Sequence, residues 1–193
     1  MVLLFTGLQE VQCKLLQQVH IEQLHLSIRP ITYDDTANII RWRNSDSVRK
    51  RFIYQGLFTK ESHENWMKTM VETGKVVQFI ISCDGEDVGS VYLRDVDYEK
   101  KEAEYGIFIG EESARGCGVG TRSAELIIEY AFETMGLERL FLRVHKDNER
   151  AVKSYEKAGF EKDGRSETVV INGCETEVIF MSLENKSIGA KKV

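Results

Sequence analysis

A run of alternating glycines between a predicted strand and a predicted amphipathic helix limits what this chain can fold into. The segment reads Arg115-Gly116-Cys117-Gly118-Val119-Gly120-Thr121, and apolar residues then recur at helical spacing over residues 121–135. Because three glycines carry no Cβ, several backbone N–H groups can converge on one anion at the positive end of the helix. The sequence therefore predicts a pyrophosphate-binding turn.

Two common nucleotide-binding loops do not fit this segment. A Walker A loop ends in Gly-Lys-Ser/Thr, whereas Gly120 is followed directly by Thr121 without the lysine. A Rossmann GxGxxG fingerprint needs its third glycine later than it occurs here, and it opens the first βαβ unit of a parallel fold. Both nucleotide interpretations are therefore disfavoured.

The composition is that of a soluble globular domain without a polynucleotide partner. Of the 193 residues, 42% are hydrophobic and 30% are charged, which favours one domain with a substantial core. Lys and Arg total 26 against 31 Asp and Glu, so the net charge of -5 leaves no broad basic field for nucleic acid.

The cysteines and the amino terminus indicate neither a metal site nor a membrane segment. Cys13, Cys83, Cys117 and Cys174 lie far apart, with no CxxC pair and no histidine at ligand spacing. The apolar residues 1–5 are too few to span a bilayer, and no signal-peptide pattern follows them. We expect a cytoplasmic protein with reduced thiols, no metal and no membrane partner.

Hydrophobic periodicity predicts an α/β (α+β) domain over residues 26–184, after an extension over 1–25 that is predicted helical and before a flexible tail over 185–193. Strands are predicted at 26–31, 76–83, 88–96, 102–109, 140–144, 161–171 and 175–183. Helices are predicted from Asp34 or Asp35 to 42, at 59–74, at 121–135 and at 148–159. This order predicts a mixed sheet with helices on its faces and with a parallel strand pair, because a strand-helix-strand unit implies one.

The glycine turn resembles the R/Q-x-x-G-x-G/A loop of the GCN5-related N-acetyltransferases (GNAT superfamily), which binds the pyrophosphate of acetyl-coenzyme A (acetyl-CoA). Downstream, Asn148-x-x-Ala151-x-x-x-Tyr155-x-x-x-Gly159-Phe160 resembles the next helix and turn of that family. The similarity covers residues 26–184. It implies the GNAT fold, a mixed and mostly antiparallel sheet with a splayed parallel strand pair, and acetyl-CoA as cosubstrate without a metal.

The resemblance also implies where the cofactor binds. The pantetheine arm would enter the gap between the splayed strands and satisfy unpaired backbone groups, as an added strand does. Tyr155 would donate a proton to the sulfur of coenzyme A, and Asn148 would both cap its helix and contact the cofactor. The candidate cofactor-binding residues are Ile107, Phe108, Ile109, Arg115, Gly116, Cys117, Gly118, Val119, Gly120, Thr121, Asn148, Ala151 and Tyr155.

Four further side chains carry relevant chemistry. Glu104 is the candidate base or water-orienting group, because a carboxylate in an apolar strand needs a partner or solvent, and Glu102 on the same face is the second candidate. Surface exposure is the alternative for Glu104. Cys117 has no evident His-Asp support, so an acetyl-cysteine intermediate is not expected. His145, near the cofactor mouth, is expected to be a solvated surface residue.

The amino-terminal half of the domain resembles a branch of the family that acetylates UDP-linked 4-amino sugars. The candidate substrate-binding residues are Arg41, Trp42, Arg43, Asn44, Arg49 and His63. Five basic residues lie within residues 41–51: Arg41, Arg43, Arg49, Lys50 and Arg51. This set could hold a nucleotide diphosphate. The alternative for this set is an exposed helix face whose cations pair with nearby acids.

The expected activity is direct acetyl transfer from acetyl-CoA to a primary amine, foremost the amino group of a nucleotide-linked amino sugar. The alternatives are a ribosomal-protein N-terminal acetyltransferase and a spermidine N-acetyltransferase. The half of this domain that carries the glycine turn and Tyr155 resembles these two groups as well. The non-enzymatic alternative is a coenzyme A-binding sensor or interaction module. A homodimer is left open.

Overall fold

Alternating apolar residues build one seven-stranded mixed sheet in the computed structural model, which describes residues 25–186. The strands are β1 (Leu26–Pro30), β2 (Val76–Cys83), β3 (Glu86–Asp97), β4 (Glu102–Ile109), β5 (Arg139–His145), β6 (Glu161–Ile171) and β7 (Cys174–Glu184). Their spatial order is β1-β2-β3-β4-β5-β7-β6, and β4 and β5 are parallel while the other neighbours are antiparallel. The predicted fold is confirmed.

Within residues 25–186, five α-helices cover the sheet: α1 (Thr36–Asn44), α2 (Asp46–Arg49), α3 (Lys60–Trp66), α4 (Val119–Glu129) and α5 (Glu149–Lys157). Helices α3 and α4 continue into π-helical turns, Met67–Val71 and Tyr130–Thr134. Single 3-10 turns lie at Tyr33–Asp35 and Glu112–Ala114. The sequence analysis missed α2, because four residues are too few to show a helical period.

Local capping signals fix the ends of the helices that the sequence predicted. The Thr59 hydroxyl accepts a hydrogen bond from the Ser62 N–H at 3.1 Å and so begins α3. The Asn148 side chain accepts from the Ala151 N–H at 3.4 Å and caps α5. The Asp35 carboxylate does not cap α1 itself. It accepts a hydrogen bond from the Thr32 N–H at 2.8 Å, in the capping box of the 3-10 turn that leads into α1, and it also pairs with Arg29 at 2.7 Å.

The sheet buries a separate apolar core on each face. Helices α4 and α5 cover one face, where Ile127 and Leu140 are fully buried. Helix α1 and the α3 segment cover the other face, where Trp42 and Ile39 pack with Phe108 of β4. Because neighbouring residues of a strand point to opposite faces, β4 contributes side chains to both cores.

The parallel strands β4 and β5 separate after a short contact. They pair with each other from Glu102 opposite Arg139 to Glu104 opposite Phe141. Beyond that point β4 continues to Ile109 and β5 continues to His145, and the two strands no longer pair with each other. Residues 105–109 and 142–145 therefore face each other across a gap in the sheet. Backbone N–H and C=O groups left inside such a gap require another partner.

The terminal predictions fall outside the part of the chain that the structure describes. The predicted helical extension over residues 1–25 is described only at residue 25, and the predicted tail over 185–193 only at residues 185 and 186. Between residues 25 and 186, no helix combines the length and the hydropathy that crossing a membrane requires.

We predict that Trp42→Ala lowers the free energy of unfolding by about 3–5 kcal/mol, because it removes the largest side chain of the core under α1. Trp42 is 1% exposed, its indole N–H donates to Glu111 at 2.8 Å, and a Cβ on Gly110 would overlap its ring. Urea unfolding measures this loss. The control Leu57→Ala, at a position 65% exposed, should change stability by less than about 0.5 kcal/mol. A Trp42→Ala loss as small as that of the control would contradict the packing of α1.

Candidate active site

A cavity of about 1380 Å³ occupies the gap between β4 and β5 and reaches both faces of the sheet. One end lies at the glycine turn and the amino terminus of α4, beside α5. The other end lies beneath α1, α3 and the loop that joins α2 to α3. The cavity therefore brings the predicted cofactor turn and the predicted acceptor region to one site.

The glycine turn exposes its backbone to this cavity. Gly116 and Gly118 have left-handed φ angles of +88° and +81°, which favour glycine, and Gly118 immediately precedes α4. A Cβ built on Gly116 would lie 3.5 Å from the Arg150 guanidinium, so a cation stands beside the turn. Backbone N–H groups at a helix start, with a cation beside them, suit the pyrophosphate of acetyl-CoA.

Arg115 fastens the turn to the end of β4. Its Nε donates to the Ile109 carbonyl at 3.0 Å, and its Nη2 donates to the Gly110 carbonyl and the Ser47 hydroxyl, each at 3.1 Å. These bonds connect the turn, the strand and α2. Arg115 lines the cavity, but most of its donors already have protein acceptors. Its placement is that of a positioning residue for the glycine turn.

Not every residue of the predicted cofactor set reaches the cavity. Gly120, Thr121, Asn148 and Ala151 line it, as do Ile107, Phe108 and Ile109 of β4. The side chains of Val119 and Cys117 do not. Val119 is buried in the core, and the Cys117 thiol faces carbonyl oxygens at 3.8 Å and 3.9 Å. The prediction for these two residues concerns their backbone N–H groups, which the direction of their side chains does not test, so it stays a prediction.

Tyr155 lines the cavity and belongs to an aromatic cluster. Its ring centroid is 5.9 Å from that of Tyr105 and 6.2 Å from that of Phe160. Burial raises the pKa of the Tyr155 hydroxyl above its usual value of 10, so the group is protonated at neutral pH and can act as a proton donor. The Tyr105 hydroxyl is also buried and has no partner among the described residues.

Glu104 points to the face of the sheet that α1 and α3 cover, which we call the acceptor face because the predicted acceptor residues lie on that side. Guanidinium groups engage both of its carboxylate oxygens. Arg143 of β5 contacts one oxygen at 3.1 Å and the other at 3.3 Å, and Arg94 of β3 contacts the second at 3.4 Å. Glu102 does not line the cavity and pairs with Arg139 at 3.0 Å. Of the two candidate bases, only Glu104 is therefore in the site.

The predicted acceptor residues divide between the cavity and other surroundings. Arg43 and His63 line the cavity. The other four do not: Trp42 is in the core, Arg41 pairs with Glu111 at 2.6 Å, Arg49 pairs with Asp46 at 2.8 Å, and Asn44 binds the backbone of Phe58 at 2.8 Å. This corrects the prediction. Residues 41–44 are successive residues of α1 and point in different directions, so they cannot all face one site, and Arg49 of α2 is held by its ion pair.

His145 is buried, contrary to the expectation of a solvated side chain. It is 8% exposed, lines the cavity, and its Nε2 has no partner among residues 25–186. Burial lowers the pKa of its imidazole, and the nearby Arg51 acts in the same direction, whereas Asp147 opposes it. The ring is therefore neutral at pH 7.

Several cavity residues were missed by sequence reasoning, chiefly Tyr92, Arg94 and Arg143. They could have been found from the alternation of side chains along a strand, which places every second residue on the same face of the sheet. Arg94 is the direct partner of Glu104 across β3 and β4, and Tyr92 is the partner of Gly106. Once the register of β3 and β4 is known, both residues must lie on the Glu104 face. The described residues include no group of three or more His, Cys, Asp or Glu side chains that could hold a metal ion.

Comparisons with known proteins agree with this geometry. Residues 25–161 match the family described as Acetyltransferase (GNAT) domain. The spermidine N(1)-acetyltransferase of Escherichia coli K12 is 29% identical over 148 residues, covering 72% of this chain and 74% of that protein. Acetyltransferase PseH of Campylobacter jejuni is 27% identical over 122 residues, covering 63% and 74%.

A solved structure with the same fold is the spermidine N-acetyltransferase from Vibrio cholerae in complex with CoA and spermine. It superposes with a TM-score of 0.77 at 22% sequence identity, over 82% of this chain and 95% of that one. The splayed sheet with a glycine turn at one end of its gap agrees with the class of acetyl-CoA-dependent N-acetyltransferases. Because the family match spans more than half of the chain, the chain belongs to the GNAT acetyltransferase family. Acetyl-CoA is thus its cosubstrate.

We predict that Gly120→Val raises the dissociation constant of acetyl-CoA at least about tenfold, because the side chain would obstruct the phosphate end of the cavity. Gly120 suits this test better than Gly118, since its φ is not left-handed and an added Cβ would meet only Ser154 Oγ, at 3.6 Å. Calorimetry gives the affinity, and Gly120→Ala should have a smaller effect. Unchanged affinity in Gly120→Val would move the pyrophosphate away from this turn.

Proposed function

We propose that this N-acetyltransferase acetylates the amino group of a phosphate-bearing acceptor, a nucleotide-linked amino sugar. The observation that carries this proposal is the charge of the cavity, which has nine basic residues and two acidic ones in its lining. The basic residues are Arg43, Lys50, Arg51, Arg94, Arg115, Arg143, Arg150, Lys153 and Lys157, and the acidic residues are Glu104 and Glu149. The excess of positive charge favours anionic ligands.

The coenzyme alone does not account for this charge. Arg150, Lys153 and Lys157 belong to α5, beside the glycine turn, and suit the phosphates of coenzyme A. A second basic group lines the acceptor side on α1, on the loop after α2 and on strands β3 and β5. Glu104 is the acid at that side, and two guanidinium groups already engage it. An acceptor with phosphate groups would therefore be attracted, whereas a polycation would be repelled.

The chain's own residues suit acetyl transfer by direct attack. Acetyl-CoA supplies an activated acetyl thioester. The glycine turn would bind its pyrophosphate, and the unpaired edges of β4 and β5 would bind the amides of its arm. Tyr155 would donate a hydrogen bond to the departing sulfur, which also gains proton affinity when it is shielded from water in the same gap. Glu104 is proposed to orient the attacking amine or a water molecule.

The acceptor amine must be neutral when it attacks. A lysine-like amine with a pKa near 10.4 is neutral in roughly one molecule in 2,500 at pH 7, but an amine with a pKa near 8 is neutral in roughly one in ten. A weakly basic sugar amine therefore makes little demand on a protein base. This matches a site in which both oxygens of Glu104 are already engaged.

Spermidine is the second candidate acceptor, because the Escherichia coli relative and the Vibrio cholerae structure are both named for that activity. The comparisons support this alternative as well as they support the amino sugar. The positive charge of the acceptor side favours the sugar. The two candidates carry opposite charges, so a kinetic comparison of the two acceptors can distinguish them.

We predict that a UDP-linked 4-amino sugar is acetylated with a kcat/KM at least about tenfold above that of spermidine or an N-terminal peptide. Steady-state rates at saturating acetyl-CoA measure the three acceptors side by side. Raising the ionic strength should lower the sugar reaction, because screening weakens attraction between a basic cavity and phosphate. A preference for spermidine would replace the amino-sugar assignment and leave acetyl transfer intact.

We predict that Tyr155→Phe lowers kcat about a hundredfold or more while acetyl-CoA affinity changes little, since the ring still packs and only a proton donor is lost. Because the pKa of Tyr155 is raised, the wild-type rate should show no loss from Tyr155 deprotonation below about pH 10. Tyr98→Phe, at an exposed position outside the cavity, is the matched control. A loss below threefold with chemistry rate-limiting would limit Tyr155 to packing.

A further inference from the structure

We propose that Arg43 is the residue that recognises the anionic group of the acceptor, by binding its phosphate oxygens. The inference rests on the proposed function and assigns its acceptor specificity to one side chain. The sequence placed Arg43 in a group of basic residues, and the structure separates it from the others by its surroundings.

Arg43 is held inside an aromatic enclosure. Its side chain comes from the last turn of α1 and the residue is only 7% exposed. The guanidinium carbon lies 3.3 Å from the ring centroid of Phe52, 4.8 Å from that of Phe58 and 5.9 Å from that of Phe108. These rings stabilise the cation by stacking and fix its position within the cavity.

The charge of Arg43 has no anionic partner in the protein. No carboxylate pairs with it between residues 25 and 186, and its hydrogen bond to the Tyr54 carbonyl is long, at 3.4 Å. Its Nη1 is buried without any partner among those residues. Burial lowers the pKa of the guanidinium to about 10, so Arg43 is still protonated at pH 7. A buried cation of this kind is costly unless an anion compensates it.

Three of the other arginines that line the cavity have carboxylate partners, unlike Arg43. Arg94 and Arg143 share Glu104, at 3.4 Å and 3.1 Å, and Arg115 pairs with Glu112 at 3.4 Å. Each of these three cations has a carboxylate partner within the protein. Arg43 is thus a deeply buried cavity arginine that has no carboxylate partner among residues 25–186 and whose Nη1 has no acceptor there.

The shape of the group selects the class of ligand. Stacking uses the flat face of a guanidinium and leaves its N–H edge free, and that edge matches two oxygens of a phosphate. Lys50 and Arg51 also line this end of the cavity and add positive charge. This arrangement suits a diphosphate linked to the sugar that carries the amine.

The test compares two acceptors and three variants. The acceptors are a UDP-linked 4-amino sugar and the same amino sugar as its neutral methyl glycoside. The variants are Arg43→Gln, Arg43→Lys and the control Arg165→Gln. Arg165 also stacks on an aromatic ring, with its guanidinium carbon 4.7 Å from the Phe180 centroid, but it pairs with Asp163 and does not line the cavity.

For Arg43→Gln we expect kcat/KM toward the UDP-linked sugar to fall about ten- to a hundredfold, with less than a threefold change toward the methyl glycoside. Arg43→Lys should restore part of the loss, because it keeps the charge but not the two-pronged geometry. Arg165→Gln should leave both acceptors unchanged. Calorimetry with uridine diphosphate, in the presence of coenzyme A, should show weaker binding only in the Arg43 variants.

The outcomes separate this inference from the function on which it rests. Acetylation of the UDP-linked sugar with no loss in Arg43→Gln overturns the role of Arg43 and leaves the acceptor assignment standing. An equal loss toward both acceptors, or a loss of acetyl-CoA affinity, would show a structural role and also overturns the inference. If the wild type does not acetylate the UDP-linked sugar, the acceptor assignment fails, and the inference fails with it.

Discussion

The separation of β4 from β5 is the constraint on which the site depends. Two parallel strands that begin as hydrogen-bonded neighbours normally remain so, because a buried backbone group without a partner is costly. Here the pairing stops at Glu104 opposite Phe141. Each strand nevertheless stays ordered through its other edge, since β4 pairs with β3 from Glu104 to Ile109 and β5 pairs with β7 from Arg139 to His145. The gap can therefore exist without loosening either strand, and a ligand with amide groups can complete it.

The charge of the site cannot be read from the charge of the chain. The chain as a whole is acidic, with a net charge of -5, and on that basis alone it would suit a cationic acceptor. The cavity is basic because residues from α1, β3, β5 and α5 converge on it, while many acids pair with cations elsewhere on the surface. Local charge at the bound ligand decides recognition, since solvent screens distant charges within about 10 Å.

Local signals made much of the fold and of the cofactor end predictable. The glycine turn and the Asn148 cap each act within a few residues. Asn172 and Gly173, between β6 and β7, form a dipeptide typical of tight hairpins, and the structure has left-handed φ angles at both positions, 51° and 80°. The acceptor side was less predictable, because it depends on helix direction and strand register. Sequence reasoning could group Arg41 with Arg43, but it could not tell that one pairs with Glu111 on the surface and the other is buried against Phe52.

The alternation of β4 joins the two halves of the site. Tyr105 and Ile107 point to the face covered by α4 and α5, where Tyr155 lies, whereas Glu104 and Phe108 point to the acceptor face. Gly106 lies between them on the acceptor face, and a Cβ there would overlap the ring of Tyr92. A side chain at position 106 would therefore require the Tyr92 ring to move. One strand thus presents two different surfaces to the cavity, one beside Tyr155 and one at Glu104, and Gly106 leaves room for the Tyr92 ring between the strands.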